Sequence, residues 1–333
     1  MQESKTITEL TRLSDLLRQS VSVYKNKQSP NSPDVELVLG FIEETAFYQP
    51  WFIPEHLCIA LSDLASELIK LEKFPENKHF FSEIGVLMRA DAPLEGITEL
   101  VYLAVSGFNL QVIVPVKMQQ YFQGILRILE ISPLIKNKIK ISENYFSGIQ
   151  AIVAFSEFNS TMNSYLSKYP LLQIYRKGLS FILTGTESDE VLSHIVFRIC
   201  MFFGRSQSSI KVLFVPVNYS MEPLIRQFDQ YSDQLIYHKY FNNYEYRKSV
   251  MLINQIPHET AGPLLITEDP GQAGFTGVLC IQKYTTESEI NKSSLTASFP
   301  LLTKHEEASE ELTGCFSGVA ANIENIYRFI LQD

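Results

Sequence analysis

The run Gly204-Arg205-Ser206-Gln207-Ser208-Ser209 sets small polar side chains between a helical stretch and the apolar segment Val212 to Val217. A loop of this kind can present a nucleophile, but no G-x-S-x-G elbow accompanies it, and the same residues suit a plain tight turn. A second candidate follows Ile84 to Met88: Arg89-Ala90-Asp91-Ala92-Pro93-Leu94-Glu95-Gly96. A phosphate-cradling turn needs glycines between strand and helix, so that backbone N–H groups can approach the anion. This turn has one late glycine and two carboxylates, Asp91 and Glu95, which repel phosphate, and it also reads as an ordinary strand-to-helix connection. His238 to Lys248 is dense in polar aromatics. A tyrosine there, such as Tyr244, can donate to a carbonyl or stack on a ring, or simply belong to an amphipathic wall. His258-Glu259, just before Gly262-Pro263, reads as a surface turn.

Other chemistries are disfavoured. The four cysteines, Cys58, Cys200, Cys280 and Cys315, form no C-x-x-C pair, and the six histidines do not cluster near them. Neither a zinc site nor a disulfide framework is expected, and reduced thiols in a cytoplasmic protein are the default. Cys200 lies in the apolar run Ile195 to Phe203, where a thiol is buried, has a raised pKa and is inert. On one continuous helix, Cys200 and Gln207 are separated by two turns, about 10 Å. With 28 Lys+Arg against 37 Asp+Glu the net charge is -9, a repulsive long-range field for a nucleic-acid backbone, so no nucleic-acid partner is expected. No apolar run reaches ~18 residues, so no membrane span is expected, and the polar start MQESKTITEL has no signal-peptide core.

These residues must be held by alternating strands and helices. Ile7, Leu10, Leu13, Leu17 and Val21 mark one helical face. Ser32-Pro33 reads as an N-cap and first helical position of a helix to about Phe47, and Pro54 opens a third, with Leu57, Leu61, Leu64 and Leu68 inside. Ile84 to Met88, Leu110 to Val116, Ile149 to Phe155 and Leu179 to Leu183 read as strands. Leu94 to Val105, Met118 to Glu130 and Phe158 to Ser167 read as the helices between them. A second series runs from a helix over Ser188 to Phe203 through a strand Val212 to Val217, helices from Met221 and near Asn243 to Asn254, and strands Leu264 to Thr267 and Val278 to Tyr284. A helix Val319 to Leu331 closes the chain. The alternation predicts an α/β fold with parallel sheets and right-handed crossovers. It divides into two Rossmann-like lobes, residues 1–178 with the N-terminal helices and 179–310, with 311–333 as a C-terminal segment; one continuous sheet is the alternative.

Four stretches carry a resemblance: Gln49-Pro50-Trp51-Phe52-Ile53-Pro54-Glu55, Lys168-Tyr169-Pro170, Leu183-Thr184-Gly185-Thr186-Glu187 and His238 to Lys248. In order, and from about residue 40 to the end, they resemble the acyl-CoA (fatty acyl) reductases of the LuxC type, whose pattern is N-P-W-F-T-P-E-N around the first and H-K-Y-x-N-N-Y-D-Y-N-K around the last. The resemblance implies an aldehyde-dehydrogenase-like fold, with NADPH or NADH on the first lobe and a cysteine on the second. That thiolate attacks an acyl thioester, CoA leaves, and hydride transfer gives an aldehyde. It also implies that the segment from about Gly314 returns to the first lobe.

The chain departs from that pattern at the working positions. The family's F-G-L-G-C-R-N-V-S-K-L matches Phe203 to Leu213, which sets Gln207 at the nucleophile position, flanked by Ser206 and Ser208. The early G-N-I-P-L has Ala90 and Asp91 for its glycine and asparagine, with Pro93 and Leu94 retained; a lysine expected in the next strand falls on Ile113, leaving Lys117 nearby. G-S-N-N-T becomes Ala154-Phe155-Ser156-Glu157-Phe158. The cofactor positions are therefore Ala90, Asp91, Pro93, Lys117 and Ser156, the catalytic positions Ser206, Gln207, Ser208 and Tyr244, and no metal is implied. The expectation is a degenerate reductase with weak or lost nucleotide binding. It would act as an acyl- or CoA-binding subunit beside an active paralogue or acyltransferase, or as a scaffold with no ligand. The alternative is an active NAD(P)H-dependent reductase with a displaced nucleophile.

Overall fold

A computed structural model describes residues 2–75, 81–89, 91–143, 145–158, 160–302 and 318–331. Ala90, Gly314 and Cys315 lie outside them. The chain forms two compact units, Met1–Tyr175 with Gly318–Asp333, and Arg176–Ser317.

In the first unit three helices, α1 (Gln2–Lys25), α2 (Pro33–Tyr48) and α3 (Pro54–Leu68), precede the sheet. The Ser32 hydroxyl accepts the Val35 N–H at 3.2 Å and caps α2, with Pro33 at its start. Ser14 and Ala65 are small enough for α1 and α3 to touch closely, and Ser14 Oγ donates to the Ala65 carbonyl at 2.7 Å. The sheet follows: β1 (Glu83–Leu87), α4 (Ile97–Val105), β2 (Asn109–Ile113), α5 (Gln119–Leu129), β3 (Ile139–Ser142), β4 (Ala151–Ala154), α6 (Ser160–Leu166) and β5 (Leu171–Gln173). Its order is β3-β2-β1-β4-β5, all parallel, with Ile84 beside Leu110 on one side and Ala151 on the other. β4 is buried throughout, the pattern of a strand covered on both faces. α12 (Val319–Leu331) packs on α4, where Asn322 Nδ2 donates to the buried Glu99 at 2.7 Å.

The second unit repeats the alternation: β6 (Leu179–Ile182), α7 (Asp189–Cys200), β7 (Ile210–Pro216), α8 (Glu222–Phe228), α9 (His238–Ile253), β8 (Glu259–Ala261), β9 (Leu264–Thr267), β10 (Val278–Tyr284), α10 (Glu287–Lys292) and α11 (Ser294–Ser298). The order is β6-β7-β10-β9-β8, and β8 alone runs antiparallel to its neighbour. Leu213, Leu279 and Phe181 meet Ile195, Val196 and Phe228 in its core.

Several expected boundaries shift. The helix expected from Leu94 starts at Ile97, because Leu94 (φ 59°) and Gly96 (φ 80°) are left-handed and make a turn first. The helix expected through Phe203 stops at Cys200. Phe202 (φ 55°), Phe203 (φ 58°) and Gly204 (φ 63°) then form a left-handed turn, so the two-helical-turn spacing between Cys200 and Gln207 does not apply. α9 begins at His238 rather than Asn243, and Glu259 opens β8 rather than lying in a turn. β3 and β5 were not expected at all. Among the described residues no helix is long and apolar enough to cross a membrane.

Candidate functional site

In the first unit β1 lies between β2 and β4, so its two flanking connections diverge at the β1–β4 boundary. The crevice at the carboxyl ends of such strands is where this kind of sheet takes ligands. Asp91 and Pro93 follow β1, Lys117 follows β2 and Ser156 follows β4, so all four share that edge. Pro93 is buried, Lys117 is exposed and Ser156 is half-buried, its carbonyl accepting Gln173 Nε2 at 3.0 Å.

The crevice itself is filled. Met88 and Phe155, the residues just after β1 and β4, are each 3% exposed. A Cβ built on Gly96, which caps α4, would fall 3.0 Å from Met88 Cε and 3.5 Å from Phe155 Cδ1. Two of the backbone donors there are engaged: Leu94 N–H donates to Tyr121 Oη at 2.7 Å and Ile97 N–H to the Leu94 carbonyl at 3.1 Å. The buried Glu99 carboxylate occupies the first turn of α4, where the positive end of the helix dipole favours an anion. Asp91 pairs with Arg89 Nε at 2.5 Å, and Arg89 also donates to Tyr175 Oη at 3.2 Å.

The Gln49–Glu55 motif supports this region from behind. Gln49 Nε2 reaches Met118 Sδ at 2.6 Å, and Phe52 meets Tyr121 edge-on at 4.9 Å. Tyr121 in turn holds the Leu94 turn. Burial pushes the Tyr121 phenol far above its ordinary value, so it stays neutral.

In the second unit Ser206, Gln207 and Ser208 sit together in the turn before β7. Ser206 Oγ accepts the Ser208 N–H at 3.0 Å, and Ser209 N–H closes back on the Ser206 carbonyl at 3.0 Å. Gln207 Oε1 accepts the Arg176 N–H at 3.0 Å. The three serines are buried. Gly204 is required where it stands: a Cβ there would lie 2.9 Å from the Ile199 carbonyl oxygen. That turn also receives Lys211, a buried side chain on β7 whose ammonium donates to the Gly204 carbonyl.

Tyr244 is not part of this turn; it packs with Met251, Leu265 and Val278. Tyr240, one helical turn earlier, stacks on Phe203 at 5.0 Å, and its hydroxyl donates to the Pro263 carbonyl at 2.6 Å. Tyr240 and Lys211 were missed in the sequence. The signals were there: Lys211 is the lone charge in the apolar run Ile210 to Val215, and Tyr240 opens the same aromatic stretch as Tyr244. Cys200 is 1% exposed, and burial pushes its thiol far above the ordinary value.

Comparison with solved structures identifies the architecture. The fold is that of the aldehyde dehydrogenases. An acetylating aldehyde dehydrogenase from Geobacillus thermoglucosidasius matches 94% of this chain and 80% of its own, with a TM-score of 0.59 at 11% identity. An oxidoreductase from Marinobacter aquaeolei matches 85% and 70%, with a TM-score of 0.57 at 9% identity. An NAD-dependent aldehyde dehydrogenase from Sinorhizobium meliloti matches 84% and 67%, with a TM-score of 0.51 at 12% identity. No family model and no curated protein matches the chain. At these identities the likeness to the aldehyde-dehydrogenase fold is one of architecture. Among the described residues no group of three or more His, Cys, Asp or Glu side chains is gathered to hold a metal ion.

Proposed function

We propose that this chain is a diverged acyl-CoA reductase of the LuxC type that has given up thioester reduction. It serves as an acyl- or CoA-binding subunit beside an active paralogue or an acyltransferase. The observation that carries the reading is the closure of the β1–β4 crevice by Met88 and Phe155 over Gly96. A dinucleotide bound there needs open backbone N–H groups and room for its pyrophosphate. Here the Leu94 N–H is committed to Tyr121 Oη, apolar side chains fill the space, and Glu99 already answers the helix dipole. The residues present do not fit NADPH or NADH, and no hydride step is assigned to this chain.

The second unit agrees. Gln207 stands at the nucleophile position of the resemblance, and an amide forms no thioester. Its carbonyl oxygen holds the Arg176 N–H, the work of a turn-forming residue. Calorimetric titration with NADPH, NADH and a non-hydrolysable acyl-CoA analogue tests the reading. The expected result is no heat from either nucleotide and saturable heat from the acyl-CoA analogue. Micromolar NADPH binding, or nucleotide oxidation that depends on an acyl-CoA, returns the chain to the active reductases. Silence toward all three ligands leaves a scaffold and removes the acyl-binding role.

A further inference from the structure

We propose that the groove between α2 and α5 is a binding site for a short extended peptide with free ends, its ammonium held at Glu44 and its carboxylate at Arg127. The proposal goes beyond the reading above and does not depend on it. A cavity of about 600 Å³ opens there, lined wholly by residues of the first unit. Small-ligand sites occupy about 300–1,000 Å³. Gly40, in the middle of α2, lines this cavity. Glycine is a poor helix former, and its use inside a helix is to let another group approach the backbone closely. No neighbour accounts for Gly40: a Cβ there would meet nothing within 4 Å. Gly124, across the groove on α5, differs, since a Cβ there would fall 2.8 Å from Phe41 Cδ2. Packing explains Gly124 and leaves Gly40 presenting bare backbone to the cavity.

The spacing of the lining residues names the occupant. The two helices run antiparallel: Gln49, just past the end of α2, reaches Met118, just before α5, and Phe41 meets Gly124 midway. Glu44 lies three residues from that midpoint toward one end of the groove, and Arg127 three residues toward the other. At about 1.5 Å per residue the two positions are about 9 Å apart along the groove. Three extended residues of a peptide span about 10 Å. Between the charges, Gln120 and Gln123 stand three residues apart on α5 and share one face. A side-chain amide offers a donor and an acceptor, the same pair that a peptide group carries. A tripeptide has two peptide groups to meet these two glutamines.

The chemistry of the groove disfavours simpler occupants. The side chains of Glu44, Gln120, Gln123 and Arg127 make no hydrogen bond or ion pair with any of the described residues, so all four are available to a ligand. A phosphate meets Arg127 but is repelled by Glu44, and a plain amine meets Glu44 but is repelled by Arg127. An acyl chain lying there takes two charges and two amides out of water with nothing to pair them. A zwitterion with its charges at its two ends and amides between them answers all four side chains.

Ligand-observed NMR titration of the full chain with trialanine tests this, with thermal unfolding of every variant as the folding control. Wild type is expected to bind with a dissociation constant of about 0.1–1 mM, the range open to a ligand of this size. Gly40→Leu fills the groove and removes binding without loss of thermal stability, because the space over Gly40 is free and leucine is the better helix former. Glu44→Gln and Arg127→Gln each weaken binding about tenfold. Blocking the ends of the peptide tells the two apart. N-acetyl-trialanine, which has no ammonium, is indifferent to Glu44→Gln and still sensitive to Arg127→Gln; trialanine amide, which has no carboxylate, shows the reverse. Absence of trialanine binding by the wild type overturns the proposal. So does binding indifferent to Gly40→Leu, charge variants whose effects do not follow the ends of the peptide, or a peptide blocked at both ends that binds as tightly as trialanine.

Discussion

The terminal methyl of Met88 lies where a side chain at Gly96 would begin: a Cβ on Gly96 falls 3.0 Å from Met88 Cε. Two separate constraints meet there. One is space, and the Met88 side chain can yield some of it because its end is flexible. The other is the left-handed backbone of Gly96, φ 80°, which an L side chain resists whatever the space. Gly96→Ala is therefore expected to destabilise the chain by about 1–2 kcal/mol, read as a lower denaturation midpoint. Adding Met88→Ala to Gly96→Ala should not recover the loss, since the backbone term persists. Recovery in the double variant would show that crowding alone fixes the glycine.

Gln207→Cys puts a thiol at the nucleophile position. It also removes the acceptor of the Arg176 N–H, at a cost of about 1 kcal/mol. Thiol labelling at position 207 is expected to appear, since Gln207 is only half-buried. Acyl-CoA-dependent oxidation of NADPH is not expected, because the crevice over Gly96 stays closed by Met88 and Phe155. Oxidation of NADPH by this variant would mean that the thiol was the only part missing.

Much of the scaffold was legible in the sequence, for a definite reason. β1, β2, β4, β7, β9 and β10 are short apolar runs bounded by turn residues, and doubly covered parallel strands read that way. β3 has Lys140 at its second position and β5 only three residues after Pro170, so neither raised a signal. The end of α7 was hidden because apolar spacing continues through Met201-Phe202-Phe203. Tertiary contacts decide it: Gln234 Nε2 takes the Cys200 carbonyl at 3.0 Å, and Phe203 lies against Tyr237 and Tyr240. Those partners lie more than thirty residues away, beyond the reach of local spacing. The same limit applies to the tyrosines of α9. Composition marks the stretch as aromatic, while only the packing distinguishes Tyr240 on Phe203 from Tyr244 in the core.

His56 gives a pH dependence with a definite sign. Burial in the first turn of α3 lowers its pKa from 6.5 to about 4. Above about pH 6.5 the imidazole is neutral in both the folded and the unfolded chain, and it contributes no slope. Between about 6.5 and 4 the unfolded chain takes up the proton and the folded chain does not, so stability falls as pH falls. The full effect approaches roughly 3 kcal/mol at the lower end. Denaturation curves across this range should show the loss, and His56→Leu should flatten that part of the profile. Parallel profiles for variant and wild type would remove His56 as the cause.

Cys200 is the group whose behaviour separates a lost site from a moved one. Its side chain is enclosed by Ile199 and the core of the second unit, and burial holds the thiol protonated. A thiolate is the reactive form, so native labelling is limited by opening of the fold rather than by reagent. Cys58 and Cys280 are also buried, and burial pushes each up to about 11. Mass spectrometry of alkylated peptides resolves the sites. The Cys200 peptide is expected to label slowly in the native chain and promptly after unfolding in denaturant. An acyl-CoA analogue should not change the native rate, because Cys200 is 1% exposed and packed in the core of the second unit. Fast native labelling of Cys200 that an acyl-CoA analogue suppresses would place a working nucleophile on the end of α7 and make the displaced-nucleophile reductase the better reading.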